Sequence, residues 1–189
     1  MKDELNCIGC NACYNICPNN AITMSHNKYG FLQPLINKNR CINCGLCKKI
    51  CLAKDNIFFQ NPKSTYIIQS KNKSYIEKSS SGGMFAELAK YVISKNGVVF
   101  GCAMERIDDG FDVKHIYIED EKDLYKLQGS KYVQSRIGNT IKKAKEFLDQ
   151  GRFVLYSGTP CQIAGLKAYL KQDYENLLTV DLSCTGTPS

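Results

Sequence analysis

The sequence predicts a small α+β module held together by metal, followed by a larger α/β domain. Three observations lead there. Cys7, Cys10, Cys13 and Cys17 read C-x2-C-x2-C-x3-C, and Cys41, Cys44, Cys47 and Cys51 repeat that spacing. From Ser79 onward the apolar pattern alternates between helical and strand periodicity. The 189 residues are enough for one ordinary domain and one small one.

The cysteine runs carry the most chemistry. Two intervening residues let a tight loop aim three thiolates at three iron corners, while the fourth, on the short helix that follows, points toward a second site. This is the bacterial ferredoxin pattern for two 4Fe-4S clusters, in which the fourth cysteine of each run ligates the other run's cluster. One cluster is expected to take Cys7, Cys10, Cys13 and Cys51, the other Cys41, Cys44, Cys47 and Cys17. Pro18 follows the first run, whereas Leu52 stands where a second proline is expected. Disulfides would require an oxidising compartment, and structural zinc ordinarily uses paired C-x2-C or mixed Cys/His knuckles.

Residues 1–60 form the expected double 4Fe-4S ferredoxin module. Asn11 to Cys17 and Gly45 to Cys51 suit short helices; Ala21 to Met24, Phe31 to Leu35 and Ile57 to Phe59 suit strands. Residues 61–78 are polar and lysine-rich around Tyr66-Ile67-Ile68, a linker with a strand inside it. Residues 79–189 form the α/β part. Ser79-Ser80-Ser81-Gly82-Gly83 marks a helix start, continued by Met84, Phe85, Leu88, Ala89, Val92 and Ile93. Strands are expected over Val98 to Ala103, Val113 to Ile118, Phe153 to Tyr156 and Leu177 to Leu182, with helices over Ile137 to Leu148 and Ile163 to Leu170.

Charge and hydropathy narrow the functions. The formal charge is +7 with every thiol neutral; two oxidised clusters at roughly −2 each lower it to about +3. Little then argues for nucleic-acid binding, and Lys142, Lys143 and Lys145 suit a solvated helix face. No run of eighteen apolar residues occurs, so no membrane span is expected.

Four ordered motifs carry a resemblance: S-S-S-G-G-M-F at 79–85, Q-G-S-K-Y-V-Q-S at 128–135, S-G-T-P-C-Q-I-A-G-L at 157–166 and D-L-S-C-T-G-T-P-S at 181–189. Together they resemble the beta-subunit family of coenzyme F-420 hydrogenases and dehydrogenases. The resemblance implies an α/β domain of that type and a cytoplasmic iron-sulfur flavoprotein, an oxidoreductase in which FAD passes electrons between the clusters and a second acceptor. On this reading Ser81, Gly82, Gly83, Ser130 and Lys131 contact the flavin. The glycines would let the backbone approach a pyrophosphate at a helix start, and Lys131 would add a charge. No G-x-G-x-x-G fingerprint is present.

The resemblance also gives Cys161 and Cys184 a role in a third 4Fe-4S cluster completed by a later C-x-x-C pair. The chain stops at Ser189 before such a pair, so the flavin domain is expected to be incomplete and the chain a truncation or a fragment. The family's C-H-G-x-P motif has Thr185 in place of its histidine, so that histidine's role does not carry over. Cys102 suits a small buried hydrophobe, and His26 and His115 suit surface or strand positions. Two functions remain open: an electron-transferring iron-sulfur flavoprotein, with a partner protein, the deazaflavin coenzyme or a small metabolite at its far end, or a ferredoxin-type carrier whose α/β half binds no flavin.

Overall fold

A computed structural model describes residues 7–54 and 61–188; the strand expected at Ile57 to Phe59 lies outside the described residues. The first segment is built from helix α1 (Ala12–Ile16), strands β1 (Ile22–His26) and β2 (Leu32–Ile36), helix α2 (Leu46–Lys49) and a 3-10 turn at Leu52–Lys54. The strands form an antiparallel hairpin in register from Ile22 opposite Ile36 to His26 opposite Leu32. Among the described residues of this segment, the buried apolar side chains are those of Ala12, Ala21, Ile22, Leu32 and Ile50. Five such side chains suit a unit stabilised also by metal or a neighbouring surface.

The second segment runs α3 (Lys73–Glu77), α4 (Met84–Ser94), β3 (Val98–Ile107), β4 (Gly110–Ile118), a 3-10 helix at Glu121–Lys126, α5 (Thr140–Asp149), β5 (Val154–Gly158), α6 (Pro160–Leu170) and β6 (Leu177–Asp181). Its mixed sheet has the order β4-β3-β5-β6, with β3, β5 and β6 parallel and β4 antiparallel at one edge. The central strands read as unbroken apolar runs because both faces are covered. Val98, Phe100, Val154 and Tyr156 pack with α5 and α6 on one face, and Val99, Ala103 and Leu155 with α4 on the other. Among the described residues no helix is long and apolar enough to cross a membrane.

Several expectations need correction. Tyr66-Ile67-Ile68 is not a strand: all three residues are exposed and pair with no ladder. β-Propensity alone cannot make a strand that has neither a partner nor a surface to cover. The serines before α4 do not cap it. Gly83 is the N-cap in a left-handed conformation with no side-chain capping bond, while Ser79 Oγ donates to the Tyr75 carbonyl and Ser80 Oγ accepts from the Ser130 N–H. β3 continues past Ala103 to Ile107, because its outer half is paired by β4. Helix α6 begins at Pro160, earlier than Ile163, on a capping box of Thr159 and Gln162.

His115 lies buried on β4 and ties four elements together. Gln162 Nε2 donates to Ser135 Oγ at 2.9 Å, Ser135 and His115 Nδ1 are 3.1 Å apart, and His115 Nε2 lies 3.1 Å from the Ser157 carbonyl. With Nε2 carrying the proton, every donor in this chain meets an acceptor. Burial lowers the imidazole from its ordinary 6.5 to about 4, and the Ser157 carbonyl opposes that only in part. The unfolded chain therefore takes up this proton first as pH falls. The stability that the neutral ring contributes is complete above about pH 6.5 and is lost progressively toward pH 4, amounting to about 2 kcal/mol at pH 5. Urea unfolding at pH 7 and pH 5 should show this loss in the wild type but not in His115→Gln; equal losses in both would mean that His115 titrates as a free imidazole.

Candidate metal centres

The two cysteine runs share one backbone path. The residues flanking the second cysteine of each run are left-handed: Gly9 (φ 65°) and Asn11 (φ 59°) around Cys10, Asn43 (φ 55°) and Gly45 (φ 75°) around Cys44. Glycine and asparagine exchange places between the runs, and they are the residue types that adopt this conformation at least cost. Each loop thereby curls around a centre before entering α1 or α2. Backbone N–H groups point at sulfur: Ala21 N lies 3.3 Å from Cys17 Sγ, and the Gly9 and Ala12 amides bond Cys7 and Cys10. Such bonds favour the thiolate, the ligating form.

Cys7, Cys10, Cys13 and Cys51 come together. Burial pushes the Cys10 thiol up to about 11 and the Cys13 thiol up to about 12, and the charges of their neighbours push further the same way, with Cys7 and Cys51 acting on both. Cys51 acts on Cys7 as well. The last cysteine of the second run is thus within electrostatic reach of the first three of the first, as Cys47 is of Cys13. The reciprocal set lines one cavity: Cys17, Cys41, Cys44 and Cys47, walled by Pro18, Ala21, Ile22 and Ile36. Among the described residues no three Cys, His, Asp or Glu side chains close around a single metal ion. The composition of each set, four sulfurs and no competing donor, suits iron-sulfur clusters.

The first set abuts the larger sheet. A Cβ added to Gly165 on α6 would stand 2.7 Å from the Cys10 carbonyl oxygen and 2.9 Å from Cys10 Cβ, and Cys161 acts electrostatically on Cys10. Asn15 Nδ2 donates to the Gly138 carbonyl, Asn15 Oδ1 accepts from the Lys142 N–H, and Gln134 Oε1 accepts from the Leu32 N–H at 2.7 Å. Sequence reasoning passed over Gly165. Its signal was a glycine inside a helical pattern, which costs stability unless something packs close against it.

Cys161, in the first turn of α6, and Cys184, exposed beyond β6, follow the ends of adjacent parallel strands. The structure thus brings both to one edge of the sheet. Cys102, on β3, is only partly buried; its thiol is raised by burial and partly offset by Lys131 and Ser135.

The expected flavin contacts divide into two groups. Gly82 and Gly83 are close to this chain's own backbone: a Cβ on Gly82 would collide with the Ile68 carbonyl oxygen, and one on Gly83 would lie 3.2 Å from Ser70 Cβ. Ser70 N–H also donates to the Gly82 carbonyl. Local packing therefore already accounts for both glycines, and Ser81 beside them is exposed. The 128–131 loop is different. Lys131 is partly buried, its ammonium lowered by that burial and held by the Gln128 and Lys126 carbonyls, and Gln128 Nε2 is a buried donor with no partner among the described residues. A cation and an unspent donor side by side suit an anionic group.

Residues 6–54 match the 4Fe-4S dicluster domain. Residues 65–142 match the N-terminal part of the coenzyme F420 hydrogenase/dehydrogenase beta subunit, and residues 151–189 match its C-terminal part. A coenzyme F420-dependent sulfite reductase of Methanocaldococcus jannaschii is 26% identical over 183 residues, which cover 96% of this chain and 28% of that protein. The chain thus spans less than a third of this relative's length. A dicluster match over the cysteine runs, followed by both parts of one family in order, makes this chain an iron-sulfur protein of the coenzyme F420 hydrogenase/dehydrogenase beta-subunit family.

Proposed function

We propose that the chain transfers electrons singly through two 4Fe-4S clusters toward its α/β half, as part of an iron-sulfur oxidoreductase. The observation that carries this reading is the crossed grouping of the cysteines, with the first set seated against α6. Cys7, Cys10, Cys13 and Cys51 would hold the inner cluster, and Cys17, Cys41, Cys44 and Cys47 the outer one. Each cluster supplies a one-electron site. The protein's part is to fix their order: the Gly165 contact and the Asn15 and Gln134 bonds hold the inner site against the sheet.

The α/β half is the seat we assign to FAD, a group that exchanges electrons singly or in pairs. Its phosphates would meet Gln128, Ser130 and Lys131, while Gly82 and Gly83 shape the neighbouring turn. Cys161 and Cys184 would join a third cluster only with two further ligands. The terminal acceptor is then a redox partner protein or a small molecule. A ferredoxin-type carrier without flavin is the alternative, favoured by the closed packing around Gly82 and Gly83.

Anaerobically reconstituted protein should hold about eight iron and eight sulfide per chain. Cys17→Ala should damage the outer cluster while sparing the inner one, and Cys51→Ala the reverse; loss confined to each run's own site would refute the crossing. Gly165→Leu should perturb the inner cluster's electron paramagnetic resonance signal and leave the outer one unchanged, because the added side chain collides with the Cys10 backbone.

Flavin titration separates the two readings. Wild type should bind FAD, with a structured yellow band released by acid. Lys131→Ala should weaken binding by about tenfold or more, the loss of one charge-assisted hydrogen bond. Absence of binding by the wild type would leave the flavin-free carrier.

A further inference from the structure

The ferredoxin-like segment is strongly basic. Between Asn6 and Lys54 it carries Lys28, Lys38, Arg40, Lys48, Lys49 and Lys54, six cations, with no Asp or Glu. Two clusters at roughly −2 each would neutralise part of this from inside. The cations themselves stand outside: Lys38, Arg40, Lys48 and Lys49 are all exposed, and none forms an ion pair with a described acidic residue. After residue 60, seven of the eighteen cations form ion pairs with described acidic residues, as in Lys143 with Glu146 and Arg152 with Glu119.

These four cations flank one place. Lys38 and Arg40 lead into Cys41, and Lys48 and Lys49 follow Cys47, so they bracket the loop that lines the outer cavity. The Asn19 amide donates to the Arg40 carbonyl, which fixes that residue beside the Cys17 end of the same cavity. Between the cations, Ile42 is 61% exposed and Cys44 is exposed. An apolar centre over a redox site, rimmed by unpaired charge of one sign, is the anatomy of a transient electron-transfer interface. A merely solvated surface would mix both signs.

We infer that the face around Cys41–Lys49 is the docking site of a small acidic one-electron carrier protein. This rests on the reading that Cys17, Cys41, Cys44 and Cys47 hold a cluster. One electron passes across the contact, one centre being oxidised as the other is reduced; no bond is made or broken. Rim cations would act chiefly on the association rate by steering the acidic partner, and salt would screen them.

The test uses the reconstituted full chain and a purified acidic two-cluster ferredoxin as the probe, with electron transfer followed by stopped flow. Iron and sulfide content and reduction by dithionite are measured first on every variant. Lys48→Glu/Lys49→Glu and Arg40→Glu should keep both clusters and their dithionite reduction. They should slow transfer with the ferredoxin at least tenfold at low salt, and the difference should fade at high salt. Lys63→Glu/Lys71→Glu, which reverses two exposed cations outside the cysteine segment, should leave the rate unchanged.

Equal rates in the rim variants and the wild type, or an equal slowing in the control pair, would overturn the docking site while leaving the clusters intact. So would tight binding of single-stranded nucleic acid that the rim reversals abolish without affecting ferredoxin. A preparation without iron and sulfide would instead defeat the underlying cluster reading.

Discussion

The arrangement rests on one cavity shared between the runs: Cys17 lines it with Cys41, Cys44 and Cys47, while Cys51 lies within electrostatic reach of Cys7, Cys10 and Cys13. Among the described residues of the segment five apolar side chains are buried, so little of its stability comes from burial of those alone. If each run closed on its own metal, the segment would be two independent loops joined by a hairpin. Under the proposed exchange of ligands, neither site would form without the other half of the segment. Metal binding would then supply the folding energy of the whole unit.

The crossing also gives the segment a direction. Because Cys51 lies after α2 and returns to the first set, the inner site collects ligands from both ends of the segment and faces α6. The outer site keeps the hairpin wall of Ala21, Ile22 and Ile36 on one side and the basic rim on the other. Gly165 is what permits the seat, since any side chain there would displace the Cys10 loop. The position of α6 depends in turn on the buried line from Gln162 through Ser135 and His115 to the Ser157 carbonyl. A polar network thus ties α6 to the sheet through Gln162, three residues before the glycine that meets the Cys10 loop.

What the sequence made legible was whatever has a period. The repeated cysteine spacing reappears as a repeated backbone path, and the unbroken apolar runs over Val98 and Phe153 predicted central strands buried on both faces. Tyr66-Ile67-Ile68 misled because strand-like composition says nothing of a partner, and none is there. Gly82 and Gly83 misled differently. A glycine pair before a helix shows that something must come close, but not what; here it is the chain's own 68–70 segment. The contacts that matter most between the two halves, Gly165 with Cys10 and Gln134 with Leu32, join residues more than a hundred positions apart and leave no local pattern to read.

The same reasoning favours the 128–131 loop over 82–83 as the seat proposed for an anion in the α/β half. A pyrophosphate needs donors that are not already spent. At 82–83 the carbonyl of Gly82 is taken by the Ser70 amide, and the space above the glycine is taken by Ile68. At 128–131 the balance is reversed: Gln128 Nε2 is buried without a partner among the described residues, and the Lys131 ammonium rests on carbonyls rather than on a carboxylate. An ammonium held only by neutral acceptors keeps its full charge available, and partial burial strengthens its pull on an anion by excluding water. Lys131 also lies close enough to Cys102 for each to shift the other's proton affinity. Any anion that settles at this loop would therefore be felt at Cys102 on β3, which shares with Phe100 the face of the sheet that carries α5 and α6.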